Sequence, residues 1–195
     1  MSRPENAARL LESVEAAAWS VGGCLDVRWL VVFDGETVPE SVDRVVSSCP
    51  AALCPAMPLP TARTGSVGGS LQRNLGIQAA EGDDFLCFLD DDNLVHPGYF
   101  PALANALRHR PSLGALVVGQ AWSDGTRRLS AGPDRVRTGS IDTAQFVIRR
   151  SLVGPVRWRA HEYCADGRFT EEVYARDPSA WEFRDELLCW YNKLR

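Results

Sequence analysis

Phe85-Leu86-Cys87-Phe88-Leu89-Asp90-Asp91-Asp92-Asn93 is the stretch on which the reading of the fold turns. Five apolar residues bounded by acid read as a short, fully buried strand of the kind found inside a parallel sheet. Three carboxylates then arrive where that strand should surface. In open α/β sheets, ligands bind at the carboxyl ends of the strands. Packing three anions together costs Coulomb energy and raises their pKa values unless a cation offsets the repulsion. A hard divalent ion, Mg²⁺ or Mn²⁺, suits such an all-oxygen cluster, usually together with substrate phosphates. The competing reading is a solvated acidic turn.

The flanking sequence supports a strand buried between helices. Upstream, Gly82-Asp83-Asp84 is a turn, and a helix from Gly69 points Leu71, Leu75 and Ala79 inward. Residues 55–69, rich in Pro, Gly, Ser and Thr, read as a loop; residues 58–69 could close over a ligand as a lid. Downstream, Pro97 marks a helix with Phe100, Leu103, Ala104 and Leu107 inward. A strand over 113–122 follows, and Asp124-Gly125 turns it back as a hairpin into 127–130.

Further out, Ala7, Leu10, Leu11, Val14, Ala18 and Val21 recur at helical spacing. They predict an amphipathic helix opened by Ser2 or Asn6 and closed by Gly22-Gly23. A buried strand over 27–33 ends in Asp34-Gly35. A second helix starts at Pro39 with Val42, Val45, Val46 and Cys49 on one face, and a short apolar piece at 51–54 fits another strand. In the less regular last third, a strand is expected over 145–148, a helix over 170–175 and a short strand over 188–191. The β and α alternation predicts a single α/β domain over residues 1–195 with a mainly parallel sheet, helices on both faces and an antiparallel addition.

With 195 residues, 45% apolar and 24% charged, the chain has the balance of an ordinary globular protein. A net charge of -4 argues against a nucleic-acid-binding surface. Lys193 is the only lysine, so arginine supplies nearly all the cations and Lys-dependent chemistry is excluded from the body of the chain. The six cysteines include no CxxC pair, which points to reduced, mostly buried thiols rather than disulfides or zinc. No apolar run approaches the ~20 residues of a membrane span, and nothing resembles a signal peptide, so a cytoplasmic protein is expected.

Other residues carry weaker signals. Asp34 follows a strand as Asp90 to Asp92 do, although Asp-Gly alone is more often a turn. Asp166, in Cys164-Ala165-Asp166-Gly167-Arg168-Phe169, reads by itself as a helix cap or turn. Trp122 and Trp158 could stack on a sugar or fill the core. His161 could assist an acceptor or metal, or simply lie at the surface. His96 before Pro97 more readily orders a helix start than touches a substrate. The Gly65-Ser66-Val67-Gly68-Gly69-Ser70 run lacks the Lys of a phosphate-binding P-loop.

Taken in order, residues 29–35, Arg73-Asn74-Leu75-Gly76-Ile77, residues 88–93 with His96-Pro97, Ile141-Asp142-Thr143 and residues 165–169 resemble family 2 nucleotide-sugar glycosyltransferases of the GT-A fold. The likeness spans about residues 3–192. It implies a single-domain, Rossmann-like GT-A fold with a nucleotide-donor half of about 1–95 and an acceptor half of about 96–195. It also implies a metal-dependent, inverting transfer from a nucleotide-diphosphate sugar, UDP-sugar by preference, to an acceptor hydroxyl.

Residue by residue, Asp34 matches the acid that bonds the uracil, and Arg73 and Asn74 match the Arg-Asn that lines the family's donor pocket. Asp90-Asp91-Asp92 matches the DxD motif. There Asp92 would coordinate Mn²⁺ or Mg²⁺ on the diphosphate, while Asp90 or Asp91 would hold the ribose or help with the metal. Asp166 matches the catalytic base.

Two features depart from the family pattern. Its usual first strand, ending in a Pro-Thr-x-Asn-Arg-like turn, is expected to be absent, because Ser2-Arg3-Pro4-Glu5 stands where that turn should end. Phe33 also replaces the first acid of the usual Asp-Asp-Gly. Both bear on donor affinity. The alternatives are a catalytically degenerate nucleotide-sugar-binding protein and, more remotely, a haloacid-dehalogenase-like phosphatase. Against the latter, Leu94 stands where its motif wants Thr or Val, and the required downstream Lys is missing.

Overall fold

A computed structural model describes residues 3–33, 39–48, 59–60, 69–82 and 84–195. A 3-10 turn, Pro4–Asn6, leads into α1 (Ala7–Trp19), which buries Leu10, Leu11, Val14 and Ala17 as its apolar spacing requires. Gly22 and Gly23 close it with positive φ. Then come β1 (Val32–Phe33), α2 (Glu40–Ser47), β2 (Leu59–Pro60) and α3 (Ser70–Ala79), followed by β3 (Phe85–Cys87), β4 (Leu94–Val95) and α4 (Tyr99–His109). The second half contains β5 (Ala115–Ala121), β6 (Arg127–Leu129), β7 (Phe146–Arg149), α5 (Arg150–Val153), α6 (Ala165–Tyr174) and β8 (Trp181–Trp190).

The larger sheet runs β3-β7-β5-β8-β4, with β6 beside the end of β5; β1 and β2 form a separate parallel pair. Because β7 is antiparallel to both β3 and β5, and β8 is parallel to β5, the strands β3, β5 and β8 all run one way. Their carboxyl ends therefore emerge along one edge, where the chain also enters β7.

Alternation along β5 feeds two cores. Leu116 and Val118 pack with Val14, Tyr99 and Leu103 from α1 and α4. Ala115 and Val117 pack on the other face with Ile77, Phe146, Trp158 and Phe169, drawing in α3 and α6. On that face Trp158 and Phe169 stack at 4.4 Å, and Phe88 meets Trp158 edge-on at 5.2 Å.

The α/β architecture with helices on both faces matches the sequence reading, but several details differ. The sheet is mixed rather than mainly parallel, because β7 inserts antiparallel between β3 and β5. The strand expected over 27–33 forms a ladder only at Val32–Phe33, and the piece at 51–54 lies outside the described residues. Ile77 and Ala80 turn α3 inward, while Leu71, Leu75 and Ala79 are half-buried. On α4, Tyr99, Ala102 and Ala106 are buried in place of the expected Ala104 and Leu107.

The last strand has ten residues rather than four. Arg184, Asp185 and Glu186 break its apolar pattern, and the register steps from Val118↔Arg184 to Gly119↔Leu187, so Asp185 and Glu186 bulge outward. Asp185 is then bonded by Arg127 at 2.6 Å and by the Ala131 N–H at 2.8 Å.

The thiols are free but not mostly buried. Cys24 and Cys87 are exposed and Cys164 is half-buried, leaving Cys189 inside; Cys49 and Cys54 lie outside the described residues. Cys87 stands on the face of β3 opposite Leu86, with its Sγ 3.3 Å from the buried Tyr99 hydroxyl.

Helix α6 begins at Ala165 rather than 170 and crosses the chain at Thr138 with no room for a side chain. A methyl group at Gly167 would lie 2.3 Å from Thr138 Cα and 2.8 Å from its nitrogen. Gly167→Ala is therefore expected to cost about 1–3 kcal/mol through forced backbone displacement. A thermal melt checks this: a clearly lowered midpoint is expected, and an unchanged one would mean that the crossing is looser than described.

Candidate active site

The three consecutive carboxylates at the end of β3 meet three arginines from distant parts of the chain. The Arg3 backbone N–H donates to Asp91 Oδ2 at 2.8 Å and its guanidinium to Oδ1 at 2.7 Å. The same guanidinium lies 3.1 Å from Asp92 Oδ2, to which Arg195 Nε donates at 3.0 Å. Arg73 on α3 pairs with Asp90 Oδ1. The backbone joins in: Asn6 donates to the Asp91 carbonyl at 2.8 Å and the Leu194 N–H to the Asp92 carbonyl at 3.0 Å. Asn6 is thus committed to Asp91 and makes no side-chain cap for α1.

Exposure separates the three acids. The Asp90 side chain is 39% exposed, against 9% for Asp91 and 7% for Asp92. Burial pushes the Asp92 carboxyl up from its ordinary value even with Arg3 and Arg195 beside it.

Asp142 and Asp166 join Asp90 from two other elements. Asp142 stands just before β7, capping the 3-10 turn Thr143–Gln145 in a reciprocal box with Gln145. Gln120 of β5 donates to its Oδ1 at 3.0 Å, and Arg128 of β6 to its Oδ2 at 3.1 Å. Asp166 occupies the first turn of α6, where the Gly167 N–H donates to its Oδ1 at 2.8 Å. Burial raises both carboxyls. The Asp90 charge raises both further, Asp142 also raises Asp166, and Arg73 works against the rise at Asp166.

Asn74 clamps the Trp158 backbone, donating to its carbonyl at 2.9 Å and accepting its N–H at 2.8 Å. The neighbouring Arg73 guanidinium lies 4.6 Å above the Trp158 ring. Arg73 and Asn74 together therefore tie α3 to the chain leading into α6 and hold Arg73 at Asp90.

The remaining sequence candidates divide clearly. Asp34 lies outside the described residues. Trp158 is core and Trp122 is exposed. His161 is exposed. His96 accepts the Gly98 N–H at 3.0 Å, ordering the start of α4. Sequence reasoning gave no role to Asp142, Gln120, Arg128, Arg3 or Arg195. The Asp142-x-x-Gln145 spacing was a readable signal for the first of these; the terminal arginines offered none.

Residues 27–32 and 85–92, with Arg3, Arg73 and Arg195, line one cleft of about 570 Å³. Among the described residues, no three His, Cys, Asp or Glu side chains converge as a metal-ligand set. Asp90 Oδ2 and Asp92 Oδ1 nevertheless stand outside the arginine pairs, and such hard oxygens fit Mg²⁺ or Mn²⁺ when substrate phosphate and water complete the shell.

The model of Glycosyl transferase family 2 matches residues 3–154. The chain belongs to this family. No curated protein matches the sequence. The crystal structure of S. aureus TarS residues 1–349 aligns with 96% of this chain at a TM-score of 0.71 and 15% identity, and the chain spans 58% of that structure. At such low identity the likeness establishes the fold, a mixed α/β GT-A-like domain.

The raised carboxyls set a pH dependence of stability. Between the ordinary Asp value of about 4 and their raised values, the folded protein holds more protons at Asp142 and Asp166 than the unfolded chain does. Stability from these groups is therefore greatest at the acid end of that window and falls as pH rises through it. Urea midpoints measured across the window should decline in the wild type, with a shallower slope in Asp166→Asn; an equal slope would remove Asp166 from the cause.

Proposed function

We propose that this glycosyltransferase moves a sugar from UDP-sugar to an acceptor hydroxyl with inversion, using Asp166 as general base. One observation supports this above the others: Asp166, Asp142 and Asp90 converge with Arg73 at one sheet edge, and burial lifts Asp166 above the ordinary carboxylate range. A base works best with a pKa near the operating pH, so the lift increases its capacity to take a proton.

In the proposed reaction the acceptor oxygen bonds to the anomeric carbon as the bond from that carbon to the diphosphate oxygen breaks. The electron pair leaves with UDP, and the acceptor proton passes to the Asp166 carboxylate. Attack opposite the leaving group inverts the anomeric centre without a covalent intermediate. Arg73, held over Trp158, faces the departing charge, and Arg3 and Arg195 add cations at the same place. Asp90 and Asp92 would hold Mg²⁺ or Mn²⁺, which would supply electrostatic relief of the diphosphate charge. Asp90, the most exposed of the three acids, would meet the ribose in this reading, and Asp34 would bond the uracil. Asp91, both of whose oxygens engage Arg3, anchors the start of the chain. Residues 1–95 would serve the donor and 96–195 the acceptor.

A second reading, a nucleotide-sugar-binding protein without transfer, draws on the pairing of Asp91 and Asp92 with Arg3 and Arg195. Asp166→Asn separates the two. Transfer, or slow UDP-sugar hydrolysis in its absence, should fall about 10²–10⁴-fold, the usual contribution of a general base, with UDP affinity retained. Equal turnover in the variant would overturn the assignment of the base. No turnover of any UDP-sugar by the wild type would favour the binding reading.

A further inference from the structure

We propose that Trp122, Tyr191 and Arg128 form a saccharide-binding platform, so that the acceptor is a pyranoside. The inference rests on the transferase reading and deepens it. Along the edge where β3, β5 and β8 end, the strand order sets the sequence of sites. The acidic cluster stands at β3, Asp142 at the entry to β7, Trp122 directly after β5 and Tyr191 directly after β8. Arg128 links both rings to Asp142. The chain just after Tyr191 reaches the acidic cluster, where the Asn192 N–H donates to Asn93 Oδ1 at 2.9 Å and the Leu194 N–H to the Asp92 carbonyl at 3.0 Å. The two aromatic residues thus stand beside the acids.

Trp122 is 44% exposed, whereas Trp158 and Trp181 are buried. Its indole meets the Tyr191 ring edge-on at 5.5 Å. The Arg128 guanidinium lies 3.8 Å from the Tyr191 ring centre and 5.4 Å from that of Trp122, and the same arginine donates to Asp142 Oδ2 at 3.1 Å and to the side-chain amide oxygen Oε1 of Gln120. Backbone bonds hold the main chain of both residues. The Trp122 N–H donates to the Thr126 carbonyl at 2.7 Å, and the Tyr191 N–H to that of Ala121 at 2.8 Å.

An exposed, prepositioned indole offers a flat apolar face, and the adjoining guanidinium and carboxylate offer directional donors and acceptors. A pyranose has the complementary chemistry: an apolar C–H face ringed by hydroxyls. A purely apolar partner would leave the Arg128–Asp142 pair without use, and a purely ionic one would leave Trp122 without use. Holding the rings in place beforehand also lowers the ordering cost of binding. The other strongly exposed aromatics, Trp19 at the end of α1 and Tyr163 before α6, have no guanidinium over their rings among the described residues.

The test uses the whole protein with its six tryptophan indoles labelled with ¹⁵N. Cellotriose, maltotriose and chitotriose are titrated in turn, and the Trp122 signal is assigned by its loss in Trp122→Phe. At least one trisaccharide should shift the Trp122 indole, its affinity falling more than tenfold in Trp122→Ala while UDP affinity stays unchanged. No shift at Trp122 with any of the three, or equal affinity in Trp122→Ala, would overturn the proposal, as would loss of UDP affinity along with the saccharide. A shift at Trp122 in a protein that binds no UDP would uphold the platform and count against the donor reading.

Discussion

Three carboxylates in succession cannot be packed at one strand end without cations, and much of this fold is arranged around supplying them. Breaking one buried ion pair leaves an uncompensated charge, which costs far more than the pair itself contributes. Asp91 and Asp92 are both nearly buried, so the protein depends on Arg3 and Arg195 to hold them there. Those arginines come from opposite ends of the chain, and Arg73 comes from a helix between them. The pairing therefore ties the start of α1, helix α3 and the segment after β8 to one point at the end of β3.

The sheet gives that point its chemical company. With β3, β5 and β8 running in one direction and β7 running against them, the edge gathers loops remote in sequence. Asp142 reaches it from the entry to β7, and Asp166 from the first turn of α6, seated by the close crossing of Gly167 over Thr138. Burial and, after it, mutual repulsion raise these carboxyls, while Arg73 restrains the rise at Asp166. The same charges that make the edge costly to fold equip it to take a proton and meet an anionic leaving group.

Much of this was legible in the sequence. The apolar spacing of α1, the strand leading into Asp90, the Asp124-Gly125 hairpin and the family resemblance all point to the architecture found. Reading failed where long-range pairing overrode local pattern. The charged middle of β8 concealed a ten-residue strand whose bulge turns Asp185 and Glu186 outward, and the antiparallel insertion of β7 has no local signature. Asn74 looked like a pocket residue, and its structural partner, the Trp158 backbone, lies 84 positions away. Arg3 and Arg195 were invisible as site residues because nothing near them in sequence explains why a terminus should carry an arginine.

The most direct test of the acidic edge as a nucleotide-sugar site is calorimetric titration of UDP into the protein in the presence of Mn²⁺, repeated on Asp92→Ala. The account predicts binding by the wild type that is lost or severely weakened in the variant. No heat of binding from the wild type, or equal affinity in the two proteins, would contradict it.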